Sequence, residues 1–386
     1  MDIKKIAKKY EQYVIDLRRT FHEHPELSFE EVNTSKRIQK ELNEIGIPYK
    51  TIAGTGIIAT IKGQAPGKCI ALRADMDALK VTECNEVSYK SKNPGVMHAC
   101  GHDGHMAMLL GAARVLSEVK ADIKGEIKLF FQPAEEPVRG AKKMIEEGAM
   151  EGVDGLFGIH LWADIPAKQI SIDFGPRMAS SDIFKITIKG KGGHGSLPHQ
   201  CVDALLAASA VVMNLQSIVS REISPLEPSV VTIGSFHAGT TFNVIANEAI
   251  LTGTTRCFNA NIREKFPQIL DRVIQHTVKA YRAEAELEYT WGTPSVINDE
   301  ECTVLARQTA NNLWSENQLV YFEKITGGED LAYYFEKVPG VLAFVGIKNE
   351  DKGMTYPHHH EKFDMDEEAL LVGMTLYAGY AIAFLK

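Results

Sequence analysis

Four short apolar runs, cut off by turn residues and separated by helix-period text, constrain this chain more than any other feature. They are GIIATIKG (56–63), KCIALRAD (68–75), GEIKLFFQ (125–132) and DGLFGIH (154–160). Their length and their bounding turn signals predict strands, and the stretches 106–116 and 141–145 between them predict helices. Strand and helix in alternation dictate an α/β sheet with helices packed on its faces, and sheets of that kind place their ligand sites at strand ends.

From Ser181 the pattern changes. SDIFKITIKGKGG alternates, SVVTIGSFHAG and EAILTGTTRCF are strand-like, and DALLAASAVVMNLQSIV and IREKFPQILDRVIQHTVKAY are long helical stretches. Two helices with about four strands make a plausible independent α+β unit, inserted over 181–293. Past Pro294 the earlier character returns: helices are expected over 299–315, 328–337 and 366–384, with a strand at VPGVLAFVGI. The simplest organisation is a discontinuous first domain, 1–180 and 294–386, whose sheet the last segment completes. No internal repeat or long linker separates the parts.

A chain of 386 residues, 45% hydrophobic and 24% charged, is long enough for two such domains. Its net charge of -8 gives no broad basic face, so nucleic acid is not an expected partner. The N-terminus is charged and helix-periodic, with Ile3, Ile6, Tyr10, Val14 and Leu17 on one side, and lacks the apolar core of a secretory signal. No stretch is expected to reach the length of a membrane span. Six cysteines lie far apart without C-x-x-C pairs, which fits reduced thiols; the cytoplasm is the expected location.

Chemistry concentrates in four places. HACGHDGH (98–105) sets Cys100, His102, Asp103 and His105 at a helix start, where thiolate and imidazole suit zinc or a similar divalent ion. The bland alternative is a polar helix entry with His and Asp as caps. In QPAEEP, Glu135 and Glu136 follow an apolar strand; neighbours at a strand end point to opposite sides, so one carboxylate can bind metal while the other faces a water. Taken alone, such a pair is more often a solvated turn. His160 ends DGLFGIH where a strand is expected to meet a loop, a position more often filled by a packing histidine than by a ligand. YPHHHEKFDMDE (356–367) offers His358, His359 and His360, which alone read equally well as an exposed tract. Together these donors match the five or six protein ligands of a two-metal site.

The chain resembles the amidohydrolase branch of the aminoacylase and carboxypeptidase-like dimetal peptidases, the group of N-acyl-amino-acid, hippurate and indole-acetyl-amino-acid hydrolases and N-acetyldiaminopimelate deacetylases. The resemblance runs through RRTFHEHPELSFEE, ALRADMDAL, MHACGHDGHMAMLLGAA, FFQPAEEP, GKGGHGSLPH and TGGEDLAYY. It implies a zinc-peptidase-like mixed sheet flanked by helices, with the insertion as a lid and dimerisation domain. It implies Cys100, His102, Glu136, His160 and His359 as ligands of two divalent ions, zinc or manganese foremost, with cobalt or nickel as alternatives. His359 is taken by register from Phe363; the family's proline two residues after the ligand is Glu361 here, which leaves His358 and His360 as alternatives. Glu135 is implied as general base, Asp75 as the residue orienting the centre, and His194 as an oxyanion donor reaching a partner subunit. Asn243 and Arg256 fall at substrate-binding positions.

The implied reaction is hydrolysis of N-acetyl or aromatic N-acyl amino acids in a homodimer or homotetramer. A dipeptidase or an N-acetyldiaminopimelate deacetylase is the alternative within the family. Two rivals stand outside that scheme: Cys100 as a covalent nucleophile with His102 or His105 as its base, and a non-catalytic metal-bearing protein that binds a small ligand.

Overall fold

The computed structural model describes residues 2–386. Two compact units emerge: the chain up to Arg177 with Ile297–Glu323 and Asp330–Lys386, and Met178–Val296 with Lys324–Glu329. The sequence pattern assigns 324–329 to the first domain. In the structure this segment joins the second unit, where the Ala179 amide donates to the carbonyls of Ile325 (3.1 Å) and Gly327 (3.0 Å). Non-local backbone pairing of that kind leaves no periodicity to read.

The chain opens with α1 (Ile3–Lys8), α2 (Glu11–Glu23), α3 (Val32–Ile45), β1 (Tyr49–Ile52), β2 (Gly56–Lys62) and β3 (Ala65–Asp75). Next come α4 (His102–Glu118), β4 (Lys124–Gln132), α5 (Gly140–Glu146), β5 (Gly155–Pro166), β6 (Ile170–Ser171) and β7 (Gly175–Met178). The middle holds β8 (Ser181–Lys189), β9 (Gly193–His194), α6 (Ala204–Ser217), β10 (Ser229–Ala238), β11 (Val244–Ile245), β12 (Glu248–Cys257), α7 (Ala260–Ala280) and β13 (Glu284–Thr293). It closes with β14 (Val296–Asn298), α8 (Glu300–Leu313), α9 (Ala332–Phe335), β15 (Gly340–Lys348) and α10 (Glu368–Phe384).

The first unit is built on a seven-stranded sheet in the order β1-β2-β4-β3-β5-β15-β6. Its centre is parallel and its edges antiparallel, the mixed sheet that the apolar runs predict. Fourteen of the seventeen residues of α4 are buried, so this is an interior helix, packed among β3, α2 and α10. Gly104 permits the approach: a Cβ there would lie 2.5 Å from Leu161 Cδ1. The helix expected over the N-terminus is two helices broken at Lys9–Tyr10, and that expected over 328–337 shortens to α9.

The second unit is an antiparallel sheet, β10-β12-β8-β13, covered by α6 and α7. Alternation along β8 sends Phe184, Ile186 and Ile188 into its core, where they meet Val211, Leu215 and Leu270. At roughly 1.5–3 kcal/mol for each large apolar side chain buried, this core can hold the unit together. One expectation fails here. Ala204–Glu222, α6 with its continuation, is long and apolar enough by length and composition to cross a membrane. Ala204, Ala208 and Leu215 pack inward while Leu205, Leu206 and Met213 stay exposed, so apolar residues occupy both sides of the helix.

Candidate metal centre

The donors come from elements meeting at one end of the first unit's sheet. Gly101 caps α4 with φ 92°, a left-handed turn that glycine adopts freely, so Cys100 lies just outside the helix and His102 in its first turn. The His102 ring is oriented by its far nitrogen: Nδ1 donates to the Asp77 carbonyl at 2.9 Å, and buried Nε2 has no hydrogen-bond partner. His160 repeats the device, with Nδ1 donating to the Leu161 carbonyl at 2.7 Å and Nε2 standing 3.8 Å from Cys100 Sγ. It does not end its strand, as the sequence suggests, because β5 continues to Pro166. Pairing with β3 stops at Gly158, so His160 still lies beyond the edge of its neighbour.

Glu135 and Glu136 are not adjacent strand-end residues either. They occupy a turn beyond β4, between Ala134 (φ 50°) and Val138 (φ 63°), both in a conformation disfavoured for residues with a side chain. The turn is held by Asp77, whose carboxylate accepts the amides of Glu135 (3.0 Å) and Glu136 (3.1 Å) and the Ser28 hydroxyl (2.6 Å). Asp77 therefore organises both the glutamate pair and, through its carbonyl, His102. Sequence reading missed it; the only signal was its place two residues after Asp75 in RADMDAL.

Within the histidine tract the structure separates the three rings. His358 Nε2 accepts the Ala163 amide at 3.2 Å and its ring packs on Trp162, while His360 Nδ1 accepts the Lys362 amide at 3.0 Å and stacks on Tyr356. His359 adopts φ 64°, its amide donates to the Ala99 carbonyl at 2.8 Å, and its Nε2 comes 3.7 Å from Glu136 Oε2.

His105 has both nitrogens engaged, with Nδ1 2.6 Å from Asp75 Oδ1 and Nε2 accepting the Leu161 amide at 2.9 Å. Asp75 binds Arg73 at 2.7 Å and stands 3.6 Å from His102 Nε2. Burial would raise its pKa, but His102, His105 and Arg73 outweigh that and hold it well below the ordinary carboxylate range. Asp75 is thus a fixed anion beside the donors.

The donor atoms fall into two triads that share the thiol: Cys100, His102 and His160, and Cys100, Glu136 and His359, each within 4.8 Å. Glu135 groups with His102 and Glu136 within the same limit. Burial is the first cause of the donors' electrostatics. Burial and then Glu136 push the Cys100 thiol up, burial and the carboxylates of Asp77 and Asp75 push Glu136 up to about 7, and burial with His105 pushes His160 down. Each shift favours the uncharged form, and a divalent ion would reverse those of the thiol and the carboxylate. His102 alone shifts toward its charged form: against burial, its pKa is raised by Asp75 and by its bond to Asp77. A mixed sulfur, nitrogen and carboxylate set with unpartnered buried Nε2 and Glu136 Oε1 fits a divalent metal.

His194, Asn243 and Arg256 belong to the second unit. His194, exposed on β9, accepts the Ser196 amide (3.1 Å) and hydroxyl (2.9 Å) at Nδ1, which puts its proton on Nε2. Asn243 lies beside it, since β11 pairs with β9 at Val244–His194. Arg256, on β12 of the larger sheet, donates to the Thr326 carbonyl at 2.8 Å.

Residues 71–383 match the model of peptidase family M20/M25/M40. The chain is 42% identical over 381 residues to an N-acetylcysteine deacetylase of Bacillus subtilis, covering 98% of each. It is 41% identical over 387 residues to thermostable carboxypeptidase 2 of Saccharolobus solfataricus, covering 99% of this chain and 98% of the other. A solved Bacillus subtilis structure, described as a dinuclear metal binding peptidase from the M20 family, superposes with a TM-score of 0.88 at 39% identity, covering 98% and 99%.

Proposed function

From its membership of peptidase family M20/M25/M40, as a hydrolase acting on amides, we propose that this chain removes the acyl group from small N-acyl amino acids, N-acetyl or aromatic N-acyl. The observation that carries the reading is the pair of donor triads sharing Cys100, with Glu135 alongside.

Cys100, His102 and His160 would hold one divalent ion, and Cys100, Glu136 and His359 the other. Zinc or manganese suits this set foremost, and cobalt or nickel is an alternative. When bound, the ions supply Lewis acidity toward the amide carbonyl and acidify a water. Glu135 takes a proton from that water and returns one to the leaving amine. Asp75, fixed by Arg73 and His105, would stand as an anion beside the donors and orient the centre. His194, with its proton on Nε2, would donate toward the developing oxyanion in a partner subunit's site, while Asn243 and Arg256 would serve at substrate-binding positions.

The second unit, 181–293 in essence, serves as lid and dimerisation domain. Exposed Leu205, Leu206 and Met213 on α6 give an apolar face that a homodimer, or a homotetramer, would cover. The reading needs no nucleic acid, and a cytoplasmic location goes with it.

Cys100 as nucleophile is disfavoured by its thiol pKa, which burial and then Glu136 raise. A second reading, action on dipeptides or short peptides, is supported by the carboxypeptidase relative. A panel of N-acetyl, N-benzoyl and indole-acetyl amino acids with dipeptides, assayed before chelation, after it and after adding back zinc or manganese, ranks these readings. Glu135→Gln is expected to keep its metal and lose turnover by about 10²–10⁴-fold. Activity that survives chelation, or an active Glu135→Gln enzyme, would overturn the scheme.

A further inference from the structure

Arg18, midway along α2, has no exposed surface, and three carboxylates from two other segments converge on it. Nε donates to Asp103 Oδ2 at 2.8 Å, Nη2 to Asp364 Oδ1 at 2.8 Å and Nη1 to Glu367 Oε1 at 3.3 Å. The Tyr89 ring centroid lies 4.9 Å from the guanidinium, and its hydroxyl donates to the other oxygen of Asp364 at 2.8 Å. One turn on, His22 adds a 2.7 Å contact to Asp103. Buried carboxylates need such countercharge.

The positions of these carboxylates give the cluster its meaning. Asp103 directly follows His102 in the first turn of α4, and Asp364 and Glu367 lie between the His359 loop and α10. His102 and His359 belong to different donor triads. We infer that Arg18 is a positioning residue for the metal centre, a clasp that holds the His102 and His359 segments at ligand spacing without touching either histidine. A planar guanidinium fork presents several donors in fixed directions, so it sets the separation of its carboxylates; an ammonium would not. The inference rests on the metal-binding reading of the site.

The test is zinc titration of metal-stripped protein against a chromogenic chelator, with far-ultraviolet circular dichroism and melting of the metal-free form recorded in parallel. Arg18→Lys is expected to keep the wild-type spectrum and to weaken zinc binding by about 10–100-fold, the range for outer-shell partners of a metal site. Tyr89→Phe and Asp364→Asn are expected to weaken it in the same direction, and they decide the matter if Arg18→Lys does not fold. Variants that melt earlier but bind zinc as the wild type does would show that Arg18 only supports the fold. A wild-type protein that binds no zinc would instead overturn the metal reading itself.

Discussion

His102 in the first unit and His194 in the second are the same residue type with opposite hydrogen-bond polarity. A backbone carbonyl takes the Nδ1 proton of buried His102 and leaves Nε2 for a cation, whereas an amide and a hydroxyl donate to Nδ1 of exposed His194 and leave a proton on Nε2 to give. The bond on the far nitrogen, more than the imidazole, sets what the near nitrogen can do. His160 follows the pattern of His102. The first unit therefore collects electron-pair donors around a space for positive charge, and the second presents a hydrogen-bond donor.

The largest effect that can break this comparison lies at the shared thiol. Cys100→Ala is expected to lose both ions and about 10³-fold or more in turnover, several kcal/mol of lost Lewis-acid assistance. His359→Ala leaves the triad of Cys100, His102 and His160 intact and should retain one ion per chain. Elemental analysis after desalting reads both, and a Cys100→Ala protein that keeps an ion would show that the triads are independent.

His194→Ala sharpens the other side. It is expected to keep both ions and lower kcat by about 10²–10³-fold, the usual cost of an oxyanion donor. Metal content measured beside turnover separates the outcomes, and metal loss in this variant would erase the distinction between the units.

The smallest effect concerns a third kind of histidine. His22 is bonded on both nitrogens to carboxylates, Asp103 and Glu83; burial and Arg18 lower its pKa, but those bonds outweigh them and raise it. With the folded pKa raised, its contribution is complete below the ordinary value of about 6.5 and is lost as pH rises through the folded value. His22→Gln should thus cost about 1.5–3 kcal/mol at mildly acidic pH, with the gap to wild type narrowing toward alkaline pH. Melting of the metal-free protein across pH checks it, and a gap that widens with pH would refute the assignment.

Much of the site was legible because its chemistry is local. Cys100, His102 and the glutamate pair stand in short motifs, and the apolar runs before Asp75 and Glu135 announce strands whose ends converge in a parallel sheet. The choice among His358, His359 and His360 was not legible, since each has the same side chain and only the fold shows what each ring meets: the Ala163 amide for His358, the Lys362 amide for His360 and Glu136 for His359. Asp77 escaped for a similar reason: its worth lies in accepting amides from a turn far along the chain.

Sequence alone determined the classes of element, the inserted second unit in outline and the donor inventory, because hydrophobic period and residue chemistry are properties of neighbours along the chain. Tertiary structure decided which nitrogen of each histidine stays available, that Asp77 holds the amides of both glutamates, where 324–329 docks, and that one buried guanidinium joins the His102 and His359 segments. Those depend on hydrogen bonds between residues distant in sequence, whose geometry exists only once the core has closed around them.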